Sequence, residues 1–286
     1  MDLARRRWDA AYGDADHELV ILRSVDQLEG PLDIAIVATN SDVRRQVTEH
    51  LLERVTVRHL VLEKFLFQAP SDYERMSELA RSSGTETWVN TARRMWPVYH
   101  ELRESLDTEG PIALGVTATV SDGLGSNSVH FVDLFRFLTG RPIGAMEGSL
   151  LEPCENQRRS GHVEFSGVVT GRSDLGDHFS FTSLPGPGAP LLVSITSGTQ
   201  HVIINESQGL LLIASQSSGW SWTSRDFVVP FQSQLTQLVA EQLVGQGSCP
   251  LPTLDEASSS HLVLLEAFLD SYRAHIDEGA TSCPVT

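Results

Sequence analysis

Among 21 basic residues, 20 are arginine and only Lys64 is lysine. Such a bias reflects codon composition, under which exposed lysines drift to arginine because either side chain solvates a surface. A lysine that remains alone has survived by chance or does something arginine cannot. Its ammonium is a compact charge whose pKa falls on burial, so it can give or take a proton near neutral pH, whereas a guanidinium cannot. Lys64 follows Glu63 directly after the β-rich run Val57 to Leu62. A second constellation follows the glycine-rich stretch Asp122-Gly123-Leu124-Gly125-Ser126-Asn127, where His130 and Asp133 stand three residues apart on one face of a helix. A histidine that opens a helix after such a loop serves as a general acid or base, or else as a cap or a packed residue. Cys154, Cys249 and Cys283 are odd in number, far apart and without metal-ligand spacing, so they read as reduced thiols and no metal site is expected.

The elements that position these groups change character along the chain. Asp2 to Tyr12 reads as a helix stopped by Gly13, and Glu18 to Leu22 as a short β-type run. Asp33 to Ala38 (DIAIVA) is a nearly continuous apolar strand, followed by Thr39-Asn40-Ser41 and a helix to about Arg54, which Asn40 or Ser41 can cap. Ser71-Asp72-Tyr73-Glu74 reads as a capping box opening the next helix, Thr87 to Val89 as a strand, and Met95 to Leu106 as a helix. Strands apolar on both faces and alternating with helices indicate a parallel sheet covered on both sides. Residues 1–110 are therefore expected to be an α/β domain.

From Pro111 the pattern shifts. Ile112 to Thr119 is strand-like, the Asp122–Asn127 stretch is expected to be a loop, and Ser128 to Leu138 an aromatic-rich helix closed by Gly140. β-type segments follow at His162 to Val169, His178 to Ser183, Leu191 to Thr196 and Gly209 to Ala214, separated by turn-rich pieces such as Pro185-Gly186-Pro187-Gly188. Consecutive strands joined by turns predict an open, mainly antiparallel sheet. Two helices finish the chain, Gln232 to Val244 and Ala257 to His275, the latter opened by the capping box Thr253-Leu254-Asp255-Glu256. Residues 111–286 are expected to form an α+β domain for substrate binding and dimerisation.

Composition narrows the functions available. The 286 residues hold enough chain to bury a core without disulfides, and 37 acidic residues against the 21 basic ones give a formal charge of -16. That charge repels phosphate backbones and anionic membranes, and no basic stripe exists beyond Arg5 to Arg7, so neither nucleic acid nor membrane is expected as a partner. The longest apolar runs fall far short of the roughly 20 residues needed to span a bilayer. Trp8 to Asp16 is too polar for a signal-peptide core, so a cytoplasmic location is expected. In an open parallel sheet ligands bind beyond the carboxyl ends of the strands. Thr39-Asn40 and Glu63-Lys64 occupy those ends on two successive strands.

The pattern DIAIVATNSDVRRQVTEHLL, VLEKFLF, SELARSSGTETWVNTARRMWPVY and SVHFVDLFRFLTG resembles the Gfo/Idh/MocA family of NAD(P)-dependent oxidoreductases. The resemblance spans roughly residues 1–140, and its wording is most similar to members acting in nonulosonate and cell-surface sugar pathways. It implies a Rossmann-type domain, NAD or NADP as cofactor, a sugar-like substrate in the interdomain cleft and hydride transfer at a carbinol carbon. On that basis Lys64 and His130 are the catalytic candidates; Thr39, Asn40, Glu63 and Lys64 face the cofactor; Asn90, Arg93, Arg94, Ser126 and Asn127 lie near the substrate.

Three departures accompany the resemblance. Phe65 replaces the proline that usually follows the Glu-Lys pair, and Ser126 stands where many relatives carry an aspartate. The family's G-x-G-x-x-G turn, which lays the pyrophosphate on a helix amino terminus, does not occur, and Gly123-Leu124-Gly125 follows the wrong strand to replace it. The Asp2–Tyr12 helix matches the stretch the family places after its second strand, so about one β-α-β unit is expected to be missing ahead of that helix, and dinucleotide binding to be weak. Two readings follow: a sugar oxidoreductase, or a degenerate non-catalytic relative that binds sugar or dimerises through its carboxyl-terminal sheet. A homo-oligomer is expected because an open sheet invites a partner.

Overall fold

The computed structural model describes residues 2–12, 18–156, 159–186 and 188–286. Its elements in chain order are α1 (Asp2–Tyr12), β1 (Leu32–Val37), α2 (Ser41–Arg54), β2 (Val57–Leu62), α3 (Pro70–Ser83), β3 (Glu86–Val89), α4 (Pro97–Ser105), β4 (Ala113–Thr119), α5 (Leu124–Thr139), β5 (Ala145–Glu155), β6 (Val163–Arg172), β7 (His178–Leu184), β8 (Leu192–Thr196), β9 (Gln200–Asn205), β10 (Leu210–Ser215), β11 (Thr223–Asp226), α6 (Gln232–Gln246) and α7 (Leu254–His275). They form two sheets. The first is parallel in the order β1-β2-β3, and β2 is its centre, with five of its six residues buried. The second has eight strands in the order β11-β10-β9-β8-β4-β7-β6-β5, antiparallel throughout except for β4 beside β7. A Rossmann-like parallel sheet and an open, mainly antiparallel sheet are therefore both present.

The apolar residues explain how the layers join. On one face of the small sheet, Leu51 of α2 and Tyr73, Met76 and Ala80 of α3 share a core with Leu60 and Leu62. On the other, Leu235, Val239 and Leu243 of α6 pack with Val61, Ile34 and Trp88. α6 therefore serves the first sheet although it follows the second in the chain. Val89 N–H donates to Pro252 O at 3.0 Å, fixing that return. α5 lies on the large sheet through Phe131 and Phe135, whose rings meet Phe181 and Phe179 edge-on at 5.7 and 6.3 Å. α7 covers the neighbouring strands, with Phe268 stacked on Phe165 at 4.8 Å. Beyond α7 the chain returns to the first sheet: Cys283 N–H donates to Gln68 O, Val163 N–H to Pro284 O, and Ser41 Oγ to Val285 O.

Several local expectations are corrected. Glu18 to Leu22 is irregular, because its apolar residues find no neighbouring strand. α3 begins at Pro70, whose fixed φ suits the first helical position, with Ala69 before it, so Ser71 to Glu74 lie inside the helix and form no capping box. Asn40 holds the position before α2 without a side-chain cap, while the Ser41 hydroxyl is spent on Val285 O. Most of the expected Asp122–Asn127 loop is helix, since α5 starts at Leu124. The expected Met95–Leu106 helix is a short 3-10 turn over Ala92–Met95 followed by α4. β5, β9 and β11 are strands that patterning did not single out. The Thr253 capping box is present, one turn earlier than the expected helix start. The expected stop at Gly13 and the residue Pro187 lie outside the described residues.

Candidate functional site

The pairing register brings the ends of the three parallel strands level. Val37 of β1 faces Leu62 of β2, which faces Val89 of β3, so Thr39-Asn40, Glu63-Lys64 and Asn90 leave the sheet side by side. Asn90 Nδ2 donates to Glu63 Oε1 at 2.6 Å, tying the last two together. Arg44, 1% exposed, fixes the first two: its guanidinium donates to Thr39 O, to Phe65 O and, at 2.9 Å, to Leu66 O. Burial holds Arg44 below its ordinary value, to about 10, which leaves it charged at neutral pH. Nothing in the sequence set this arginine apart from its neighbour Arg45.

Lys64 crosses from the small sheet to α5, where its Nζ donates to Ser126 O at 2.8 Å. It lines a cavity of about 260 Å³ together with Ser126, Asn127, Asn156, Arg159 and Glu164. Burial draws the Lys64 amine down from 10.5 to about 8, against the opposing pull of the Glu63 carboxylate. One turn into α5, His130 is held well below the usual imidazole value, first by burial and then by the nearby positive charges of Lys64, Arg93 and His261. Its Nδ1 is buried without a partner, and so is Thr39 Oγ1. A neutral imidazole therefore stands within electrostatic reach of an amine that titrates near 8.

The remaining candidates separate. Asp133 does not work with His130: it is 2% exposed and receives Arg94 Nη2 at 2.7 Å, Arg94 Nε at 2.9 Å and Thr91 Oγ1 at 2.6 Å. Arg94 is thus a core tie between α5 and the turn after β3, and it does not line the Lys64 cavity. Arg93 forms a forked pair with Glu206 at 2.7 and 2.6 Å, its guanidinium 4.1 Å over the Phe131 ring. Arg93 lines a second cavity of about 340 Å³, which shares Asn127 with the first. Glu164, Asn156, Arg159 and Glu206 were not anticipated. The one available signal was Glu164, a charged residue beginning the apolar run of β6.

The fit to a dinucleotide divides the same way. Thr39 Oγ1 and His130 Nδ1 are without hydrogen-bond partners and Lys64 has spare donor capacity, a set that would suit a nicotinamide-ribose end. For the pyrophosphate, α2 offers the nearest helix amino terminus, but Ser41 N–H already faces Thr286 Oγ1 at 3.5 Å and Ser41 Oγ donates to Val285 O at 2.5 Å. Among the described residues no glycine-rich turn links a strand of the small sheet to a helix. No helix of the described residues is long and apolar enough to cross a membrane, and among them no group of three or more His, Cys, Asp or Glu residues is arranged to hold a metal ion.

The fold is shared with solved structures of oxidoreductases and of a transcriptional regulator. A dehydrogenase (MviM) from Clostridium difficile aligns over 95% of this chain and 88% of its own, with a TM-score of 0.67 and 14% identity. An oxidoreductase domain protein from Kribbella flavida aligns over 85% and 79%, with a TM-score of 0.66 and 17% identity. The transcriptional regulator Gal80p from Kluyveromyces lactis aligns over 88% and 76%, with a TM-score of 0.61 and 15% identity. No family model and no curated protein matches the chain.

Proposed function

We propose that the chain is a cytosolic, homo-oligomeric NAD(P)-dependent oxidoreductase acting on a carbinol or ketone of a sugar-like molecule. The observation that carries this reading is the meeting of Lys64 and His130 beyond the carboxyl ends of three parallel strands, in a fold shared with a named dehydrogenase. When bound, the nicotinamide supplies or accepts the hydride. The protein handles the proton and the charge. The Lys64 ammonium, which titrates near 8, stabilises negative charge on the substrate oxygen and can release or take its proton; neutral His130 orients that oxygen by a hydrogen bond. Asn127, shared by both cavities, and Arg93 suit the hydroxyl groups of a polar substrate.

A second reading, a sugar-binding or dimerising protein without turnover, is favoured by the occupied amino terminus of α2 and by the likeness to a transcriptional regulator. Calorimetric titration with NADH and NADPH, followed by nicotinamide absorbance assays on a panel of sugars and their keto forms, separates the two. Losing two charge-assisted hydrogen bonds of about 1.5–3 kcal/mol each weakens dinucleotide binding at least about a hundredfold. We therefore expect weak binding with substrate-dependent oxidation at millimolar nicotinamide. Low-micromolar binding overturns the weak-cradle expectation, and sugar binding without oxidation at any nicotinamide concentration establishes the second reading.

A further inference from the structure

Glu164 is 5% exposed and points from β6 into the first turn of α5. Its Oε2 accepts Gly125 N–H at 2.7 Å and Ser126 N–H at 3.3 Å, and its Oε1 accepts Asn156 Nδ2 at 3.3 Å. Ser126 also receives Lys64 Nζ on its carbonyl, so carboxylate and amine hold the two peptide groups that flank one residue and line one cavity. The glycines of the Asp122–Asn127 stretch are shaped around this carboxylate. A Cβ on Gly123, which has φ +66°, would lie 2.3 Å from Ser126 Oγ and 2.6 Å from Glu164 Oε1, and one on Gly125 would lie 3.0 Å from Oε2. The glycine-rich stretch thus makes room for a buried acid of the protein itself.

We propose that Glu164 is a positioning residue that supplies, from β6, the acidic member of the Lys64 site, fixing the first turn of α5 and sustaining the charge on the Lys64 amine. This rests on the oxidoreductase reading only for its catalytic consequence. The charged and titratable groups facing Lys64 are Glu63 on its own segment, Arg44 of α2, His130 of α5, Arg159 after β5, Glu164 of β6 and His261 of α7. Of these only Glu63 and Glu164 favour the ammonium, and Glu63 is already bonded to Asn90. Glu164 is itself held above the usual carboxylate range, first by burial, with the bonds from Ser126 and Gly125 and the Lys64 charge opposing. Cys154 of β5 faces it from the other side. Removing the carboxylate therefore lowers the pH at which Lys64 loses its proton.

A single lysine makes this measurable without substrate. Trace acetylation with acetic anhydride across a pH series, read by mass spectrometry at the Lys64 peptide, reports the free-amine fraction. Glu164→Gln is expected to move the labelling midpoint to lower pH, so that labelling at pH 7 rises about threefold, the change that half a pH unit makes. Ser126 lines the same cavity from the first turn of α5, so Ser126→Asp in the Glu164→Gln background is expected to return the midpoint upward. An unmoved midpoint in a folded Glu164→Gln protein overturns the proposal, as does a folded double variant that fails to recover. If Glu164→Gln does not fold, the double variant is expected to fold, and its failure to do so overturns the proposal. With an active substrate, the alkaline limb of the rate profile follows the labelling midpoint. A midpoint that moves in a protein without turnover upholds the role of Glu164 while overturning the oxidoreductase reading.

Discussion

Within α5, two polar stations lie one turn apart and are built in opposite ways. Asp133 has both carboxylate oxygens filled by Arg94 and a further bond from Thr91, in a setting closed to solvent. At the preceding turn His130 keeps Nδ1 unpartnered, and Lys64 spends its charge on a main-chain carbonyl beside a cavity. The first arrangement leaves no bonding capacity for a ligand. The second leaves an amine near its midpoint and an imidazole with a free nitrogen, groups whose burial costs stability unless something else uses them. The H-x-x-D spacing therefore joins a structural lock to a chemical site rather than two members of one relay.

Lys64→Met breaks the chemical half and is expected to lower turnover by about 10²–10⁴-fold, the range of positioned acid-base catalysis, with the fold retained. Wild-type rates would remove Lys64 from the mechanism. Arg94→Met breaks the structural half. It leaves Asp133 buried without its cation and is expected to cost about 3–5 kcal/mol in urea unfolding, while the pH dependence of the remaining activity keeps its shape; an altered pH profile at unchanged stability would merge the two stations. His130→Asn is expected to lower turnover by about 10–100-fold, the lower part of the range for a group that orients rather than transfers, and an unchanged rate and profile would make the whole helix structural.

The smallest expected effect concerns pH and stability. Lys64 titrates near 8 in the folded protein and at its ordinary 10.5 when unfolded, so between those values the unfolded chain binds more protons. Stability from this group rises with pH across that window, whereas activity that needs the ammonium falls above about pH 8. Chemical denaturation of wild type and Lys64→Met at pH 7 and pH 10 checks the sign: the wild type is expected to gain relative to the variant at the higher pH.

The sequence showed the end of β2 clearly, because burial on both faces forces the apolar run that stops at Leu62 and leaves Lys64 conspicuous beyond it. It showed His130 by the helix period. The split between Arg93 and Arg94 was not legible, since adjacent arginines differ only in which carboxylate the tertiary fold presents, Glu206 from after β9 or Asp133 from α5. Nor was the start of α5, because glycines at 123 and 125 signal a loop locally and are needed here to admit a carboxylate from β6. The edge strands β5 and β11 escaped because exposed, mixed-polarity edges carry little alternation.

The segment from Ala280 to Thr286 touches three bodies at once: α2 through Ser41, the loop after β2 through Gln68, and β6 through Val163. It behaves mechanically as a tie between the two sheets. Drawing the two sheets apart would have to break these few hydrogen bonds, as in peeling tape. Through Thr286 the same segment reaches the cavity that Lys64 lines, and slow deuterium uptake at the Cys283 and Val163 amides would act as a strain gauge for the tie.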